Sequence, residues 1–452
     1  MLPIPMNRLH LLICTLCLIF CCCSGDQIDH SVQLDQQLSE AIKAKSPDGS
    51  LSHYILPEED QFSSIPQDET NLISPEKVEL GRMLFFETAF ATEARKLSGI
   101  QTYSCATCHL PEAGFRPNRI QGIADGGMGF GDAGEGRFMN PEYEEHELDI
   151  QAARPLSLVN VAFVKNTFWN GQFGSGGANI GTEELWSQSH DTELNHLGFE
   201  AIETQNIEGL DVHRFRYTKN SIEKYGYKPL FDQCFPNLEE EERYSNLSAS
   251  QAISAYIRCI ISNKAPFQDW LKGNRNAISD EEKEGAILFF GKANCSNCHY
   301  EKNLGSGEFH ALGVKDMDQH PEALNKNSND ARNLGRGGFT QKTEDMFCFK
   351  VPGLYNVGDS PIYFHGASAT SLEEVVRYKA RALRENIRVS QLDISDKLHK
   401  LELSDTEVNK LVSFLSKSLK DPDLLRYKAP AINSGLCSPN NDEASQLDLD
   451  CN

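Results

Sequence analysis

A repeated pentapeptide constrains this chain more than any other feature. Cys105–His109 reads Cys-Ala-Thr-Cys-His and comes after the Leu-Phe-Phe segment 84–86, while Cys295–His299 reads Cys-Ser-Asn-Cys-His and comes after a second Leu-Phe-Phe segment, 288–290. An apolar helix end followed by the same motif, twice, indicates two related domains in tandem.

Cys-x-x-Cys-His is the attachment pattern of a c-type haem, in which both thiols bind the porphyrin and the histidine lies beneath the iron. A zinc site requires four ligands, and a thioredoxin-like dithiol requires a βαβ surround that this sequence lacks. We therefore expect two covalent c-type haems. The predicted attachment residues are Cys105, Cys108, Cys295 and Cys298, and the predicted proximal iron ligands are His109 and His299.

Length and charge limit the classes of protein to consider. With 452 residues, 39% of them hydrophobic, the chain is long enough for two or three domains. Its 43 Lys and Arg stand against 65 Asp and Glu, a formal charge of −22. Such a surface repels nucleic acid and favours a basic protein partner.

The N-terminus predicts export. Arg8 precedes an apolar run, Leu11–Cys23, that is too short to span a bilayer. Residues 1–23 are therefore interpreted as a signal peptide of the lipoprotein type, with Cys23 as the lipidated residue. A cysteine-rich cytosolic N-terminus is the alternative. The expected location is the periplasm, with a lipid anchor to the membrane.

The rest of the chain divides by composition. We expect a polar tether over 24–70 containing one short helix at Val32–Ala44. The predicted haem domains are 71–268 and 269–430, followed by a polar tail over 431–452 in which a Cys437–Cys451 disulfide is one option. Because no sustained strand-type alternation occurs, the expected fold is mostly α, with two tandem cytochrome-c-like domains.

The order of the motifs resembles that of the bacterial di-haem cytochrome c peroxidase family, including its methylamine-utilisation maturase branch. The resemblance covers about Ser74 to Lys379. Besides the two haem motifs, its main segments are Leu80–Phe86, Arg154–Asn160, Phe168–Gly171, Phe309–Gly313, Leu334–Arg336, Phe349–Val357, Tyr363–His365 and Leu372–Val376.

The resemblance implies a division of labour between the haems. The haem on His109 would be the peroxide site, and the haem on His299 would be the site of electron entry. Trp169 matches the family tryptophan that carries electrons between them. The family also uses a distal glutamate as acid and base, and both Glu203 and Glu208 remain candidates for it.

Three departures from the family pattern affect the predicted site. No histidine lies between His109 and His146, so we expect the His109 haem to keep an open iron position. The family's sixth ligand of the second haem, Met or Tyr, falls on Lys379, with Tyr378 one residue earlier. Arg154 stands where the family has a calcium-ligating Asn, which argues against calcium. His310 and His365 are interpreted as hydrogen-bonding residues of the second haem pocket.

The expected activity is reduction of hydrogen peroxide to water by a cytochrome-c peroxidase. The expected electron donor is a small redox protein, specifically a basic cytochrome c whose rate falls as salt rises. Two alternatives remain. One is a maturase-like di-haem oxidase that acts on a partner protein, and the other is a di-haem electron-transfer protein without enzymatic activity.

Overall fold

The structure, a computed structural model, describes residues 23–451, with side chains from His30 onward. The predicted signal residues 1–22 lie outside this range. The predicted mostly α-helical fold is confirmed. The helices are α1 (Cys23–Lys45), α2 (Pro75–Phe86), α3 (Glu183–Trp186), α4 (His190–Glu193), α5 (Ala201–Val212), α6 (Lys219–Lys224), α7 (Lys228–Cys234), α8 (Glu240–Arg243), α9 (Asn246–Arg258), α10 (Pro266–Leu271), α11 (Asp280–Phe290), α12 (Gly337–Thr340), α13 (Leu372–Arg381), α14 (Asp405–Ser413) and α15 (Glu443–Asp448).

Only two small antiparallel strand pairs accompany the described helices. β1 (Gly127–Met128) pairs with β2 (Phe138–Met139), and β3 (Phe309–Ala311) pairs with β4 (Cys348–Lys350). No helix in the described part of the chain is both long enough and apolar enough to cross a bilayer.

The internal repeat extends to helix packing. Helix α2 packs on α9, and α11 packs on α14. In each pair, the first helix carries a glycine at the contact, five residues before the phenylalanine that ends that helix. A Cβ at Gly81 would lie 1.9 Å from the Ala252 carbonyl oxygen, and one at Gly285 would lie 2.0 Å from that of Lys410. Both glycines therefore allow close approach of two helix backbones.

The hydrophobic core is continuous between the two predicted domains. One cluster of buried side chains includes Leu84 of α2, Trp270 of α10 and Phe414 just after α14. The predicted boundary at residues 268 and 269 falls inside α10. The division into two tandem domains stays a prediction.

The prediction of a polar tether over 24–70 is wrong for the part whose side chains are described. Leu34, Leu38 and Ile42 of α1 are buried, and α1 packs along α11. These three residues recur every fourth position, which makes a narrow apolar stripe on an otherwise polar helix. The predicted helix at Val32–Ala44 is part of α1.

The residues after Ile432 also fold back onto the protein, although their composition predicted a polar tail. Residues 433–451, here called the C-terminal strap, are closed by a disulfide between Cys437 and Cys451, as the sequence had offered as one option. Ser104 Oγ donates to the Pro439 carbonyl oxygen at 2.9 Å. The strap therefore lies directly against the turn of the first Cys-x-x-Cys-His motif.

Candidate functional site

The first motif forms a tight turn that holds its histidine in one orientation. Cys105–Thr107 form a 3₁₀ turn, and His109 Nδ1 lies 3.0 Å from the Phe115 carbonyl oxygen. Burial lowers the pKa of His109 to about 4. The imidazole is therefore neutral, and Nε2 is the nitrogen left to bind a metal.

The second motif repeats this arrangement. His299 Nδ1 lies 2.8 Å from the Leu304 carbonyl oxygen, and burial together with the charge of Lys379 lowers the pKa of His299 to about 4. Burial also raises the pKa of the Cys105, Cys108 and Cys295 thiols to about 12. Both motifs thus present two neutral thiols and one neutral imidazole.

A cavity of about 840 Å³ lies against the first motif. Cys105, Cys108 and His109 form part of its wall, and apolar side chains such as Phe85 and Leu158 form another part. The cavity reaches residues close to the second motif. These are Asn303, Pro352, Gly353 and Leu354.

Two buried arginines identify the kind of group that this cavity fits. Arg116 and Arg154 both line it, and the Nε atom of each has no hydrogen-bond partner among the described residues. Burial lowers the pKa of Arg116 to about 10 and that of Arg154 to about 9. Buried unpaired cations beside an apolar space fit an anionic, largely apolar group. With the thiols and imidazole of the first motif, they fit a c-type haem, whose propionates are anionic.

The residues around Arg154 do not fit a calcium ion. Its Nη2 donates to the Pro117 carbonyl oxygen at 2.6 Å, and Arg116 adds a second positive charge that lowers the pKa of Arg154. Calcium binding requires oxygen ligands with negative charge rather than a guanidinium.

The two candidate glutamates occupy different environments. Glu208 lines the cavity, and its Oε2 is buried without a hydrogen bond in the described chain. Burial raises the pKa of Glu208 above its ordinary 4.5, although His190 Nδ1 lies 3.5 Å away.

Glu203 does not line the cavity. Its carboxylate forms a buried ion pair with Arg258, whose Nε lies 3.0 Å from Oε1. Asn71 Nδ2 donates to the same oxygen at 3.2 Å. Glu203 therefore stabilises the packing of α5 on α9.

Trp169 lies on the cavity wall and is held at both ends. Its Nε1 donates to the Arg154 carbonyl oxygen at 2.7 Å, and its own carbonyl oxygen accepts from the Lys350 backbone N–H at 2.8 Å. Its ring meets that of His365 edge-on at 6.0 Å. Trp169 is thus fixed between the Arg154 backbone and strand β4.

Tyr378 and Lys379 point in different directions from α13. Tyr378 is buried, and its hydroxyl donates to the Leu312 carbonyl oxygen at 2.5 Å. Lys379 is the charged residue with the largest effect on the pKa of His299, Cys295 and Cys298. Its amine has no hydrogen-bond or ion-pair partner within residues 23–451. Burial lowers the pKa of Lys379 to about 8.

The other two predicted histidines make hydrogen bonds but do not line the cavity. His365 Nε2 lies 3.0 Å from Asp316 Oδ1, and the ring stacks on Phe349 at 3.6 Å between centroids. His310 Nε2 lies 2.9 Å from Glu308 Oε2.

Several cavity residues were missed by the sequence analysis. Lys350 is buried on the wall without an acidic partner in the described chain, and burial lowers its pKa to about 7. In the sequence, Lys350 stood out only as part of the Phe349–Val357 segment of the family resemblance. His213 and Asp149 also line the cavity, and neither lies in a motif.

Comparisons with known proteins agree with this geometry. Residues 75–276 match the family model described as di-haem cytochrome c peroxidase. The chain is 27% identical over 383 residues to the methylamine utilization protein MauG of Methylophilus methylotrophus, across 83% of this chain and 92% of that protein. It is 25% identical over 366 residues to the cytochrome c551 peroxidase of Pseudomonas aeruginosa, across 80% and 85% of the two chains.

Solved structures share the fold. A MauG-like protein associated with microbial copper homeostasis has a TM-score of 0.56 at 22% identity, across 83% of this chain and 97% of that one. The diheme peroxidase BthA from Burkholderia thailandensis E264 has a TM-score of 0.52 at 16% identity, across 83% and 91%. From the motifs, the site and these matches, we conclude that the chain is similar to the di-haem cytochrome c peroxidase family.

Proposed function

We propose that this protein is a cytochrome-c peroxidase that carries two c-type haems and reduces hydrogen peroxide to water. The observation that carries the proposal is that Glu208 and His109 line one cavity, in which a buried carboxylate oxygen of Glu208 makes no hydrogen bond among the described residues and has His190 Nδ1 3.5 Å away. The relatives named as peroxidases support the same reaction.

Cys105, Cys108 and His109 would hold the haem in the cavity. When bound, this haem supplies an iron that accepts peroxide and passes electrons to it. Arg116 and Arg154 would neutralise its propionates, because both are buried there without a carboxylate partner in the described chain.

Glu208 would act as the acid and base for peroxide cleavage. Its carboxylate takes a proton from one peroxide oxygen and returns it to the other, so that the second oxygen leaves as water. The raised pKa of Glu208, caused by burial, brings its proton affinity closer to neutral pH, which suits a group that both accepts and donates a proton.

The second haem would be held by Cys295, Cys298 and His299 and would receive electrons. Lys379 rather than Tyr378 would also hold this haem, because the charge of Lys379 acts on His299 whereas the Tyr378 hydroxyl donates to the Leu312 carbonyl oxygen. Trp169 would relay electrons to the first haem, since its carbonyl oxygen already accepts from β4 and its ring lies on the cavity wall.

The electron donor would be a small cytochrome c in the periplasm. The formal charge of −22 favours a basic donor. Near the second motif, however, the segment 377–400 is rich in other basic residues: Arg377, Arg381, Arg384, Arg388, Lys397 and Lys400. The dependence of the rate on salt therefore reports which surface the donor uses. Lipid attachment at Cys23 would keep the enzyme at the membrane.

The testing experiment is peroxide consumption by the haem-loaded protein with reduced cytochrome c as donor. We expect catalytic turnover that requires both haems. If the loaded protein consumes no peroxide with any small cytochrome c, the proposed activity is wrong.

A maturase-like oxidase is the second candidate, supported by the 27% identity to a MauG protein. In that case, the haem-loaded protein would react with peroxide but would not turn over rapidly with cytochrome c. The hydroxyl of Tyr378 is engaged in a hydrogen bond to the Leu312 carbonyl oxygen, which argues against this candidate.

A further inference from the structure

A histidine–aspartate pair lies on the wall of the same cavity, outside every motif. His213 directly follows α5, and both His213 and Asp149 line the cavity that His109 and Glu208 also line. His213 Nδ1 lies 2.7 Å from Asp149 Oδ2. Nε2 has no hydrogen-bond partner within residues 23–451, so it is the ring nitrogen available to the cavity.

Further hydrogen bonds hold Asp149 in place. Arg214 Nη2 lies 3.1 Å from the same Asp149 oxygen, and Arg214 Nε lies 3.0 Å from Asp125 Oδ2. Tyr143 donates its hydroxyl hydrogen to Asp125 Oδ1 at 2.6 Å. A carboxylate fixed in this way sets the orientation and the tautomer of its histidine.

The surrounding charges favour the protonated imidazole. Burial alone would lower the pKa of His213, but the ion pair and hydrogen bond with Asp149 more than offset this and raise it above 6.5. Arg214 opposes the shift, and Glu208 adds to it. In turn, His213 and Arg214 hold the pKa of Asp149 below its ordinary value despite burial.

We propose that His213 donates a proton into the cavity during peroxide reduction, with Asp149 as its positioning residue. The inference rests on the proposed function. It gives the cavity a second proton-exchanging group besides Glu208. Nothing in the motif pattern of the sequence assigns a role to either residue.

The protons and electrons balance with this group included. Hydrogen peroxide takes two electrons from the cytochrome donor and two protons, its O–O bond breaks, and two waters form. Glu208 moves one of the peroxide's own protons between its oxygens, which releases the first water. The remaining oxygen needs both electrons and two further protons, of which His213 supplies one and solvent the other. Solvent then reprotonates His213.

The test compares His213→Gln and Asp149→Asn with His196→Gln, which alters an exposed histidine that does not line the cavity. In the unaltered protein, we expect kcat to fall at alkaline pH through a pKa above 6.5, because His213 must be protonated. His213→Gln should lose this limb and lower kcat about 10²-fold. Asp149→Asn should move the limb to lower pH, and His196→Gln should behave as the unaltered protein.

A second readout needs no turnover. The Soret band of the oxidised, haem-loaded protein should shift with the same pKa, and His213→Gln should abolish the shift. An alkaline limb retained in His213→Gln would overturn the inference. So would conversion of the first haem from six- to five-coordinate in that variant, since His213 would then be an iron ligand. If the unaltered protein consumes no peroxide, the proposed function fails, and the Soret titration alone decides whether His213 titrates at the haem.

Discussion

The two Cys-x-x-Cys-His motifs have the same local geometry but different surroundings. In each, Nδ1 of the histidine is bonded to a backbone carbonyl, and burial keeps the imidazole neutral. At the first motif, the wall of a wide cavity carries a glutamate, Glu208, with a buried oxygen that makes no hydrogen bond among the described residues. At the second motif, the positive charge of Lys379 helps to lower the pKa of the histidine.

The comparison separates what the pentapeptide determines from what it does not. The motif sets how a haem would be attached and which nitrogen would bind its iron. The residues on the side of each haem site opposite the proximal histidine decide whether the iron can react. An open, acid-lined cavity suits peroxide cleavage, whereas a site closed by a second ligand suits electron transfer.

Removing either proximal histidine should give the largest effects and should separate the two sites. His109→Gly should abolish the reaction of the protein with peroxide. His299→Gly should abolish turnover with cytochrome c but leave one rapid reaction with peroxide. Stopped-flow absorption and steady-state assays measure the two steps. Equal loss of both steps in both variants would show that the sites are not specialised.

The two glutamates provide the next comparison. Glu208→Gln should lower kcat/KM for peroxide about 10²- to 10³-fold, because the proton shuttle is lost, while the melting temperature changes little. Glu203→Gln should instead destabilise the fold by about 3 kcal/mol, because Arg258 is left buried without its counter-charge. Thermal unfolding and peroxide kinetics distinguish the two effects. The reverse pattern would make Glu203 the acid and base.

The acidic side of the pH profile tests Glu208 separately. Glu208 must be ionised to accept the peroxide proton, and burial raises its pKa above 4.5. We therefore expect kcat/KM to fall as the pH drops through a pKa above 4.5, by tenfold per pH unit well below it. Glu208→Gln should remove this limb. A limb that persists in the variant would assign it to another group.

Substitution of Lys379 tests whether this residue binds the iron of the second haem. Lys379→Met should keep the second haem six-coordinate but change its reduction potential, because the axial ligand is a main determinant of potential. Lys379→Ala should make it high-spin, and Tyr378→Phe should change neither property. Redox titration and electron paramagnetic resonance measure these effects. Loss of the low-spin signal in Tyr378→Phe would reverse the assignment.

A substitution in the C-terminal strap should have the smallest effect, and we expect that effect to be confined to the first haem site. Asp442 forms a buried ion pair with Arg137 at 3.2 Å and accepts from the Gly129 N–H at 2.8 Å. Asp442→Asn should lower the free energy of unfolding by about 1–3 kcal/mol and perturb only the first haem. Chemical denaturation with absorption spectroscopy measures both. A change in the second haem would contradict this local role.

Much of the fold and of the predicted attachment chemistry followed from local patterns. The repeated helix end and motif and the option of a Cys437–Cys451 disulfide were readable from sequence, and the structure contains the disulfide. These features depend on residues close together in the chain.

The distal residues could not be chosen from sequence because the choice depends on direction. Glu203 and Glu208 lie five residues apart, so their side chains leave α5 about 140° apart. Nothing in the sequence shows which direction faces the cavity and which faces Arg258. His213 and Asp149 lie 64 residues apart in the chain and meet only in the folded protein. The burial of α1 depends likewise on α11, which is more than 200 residues away in sequence.

Electron paramagnetic resonance of the oxidised, haem-loaded protein, before and after one equivalent of peroxide, tests the central claim most directly. We expect one high-spin haem with an open position and one low-spin haem with two protein ligands, and only the high-spin signal should change at once on mixing. Two low-spin signals that peroxide leaves unchanged would contradict the account.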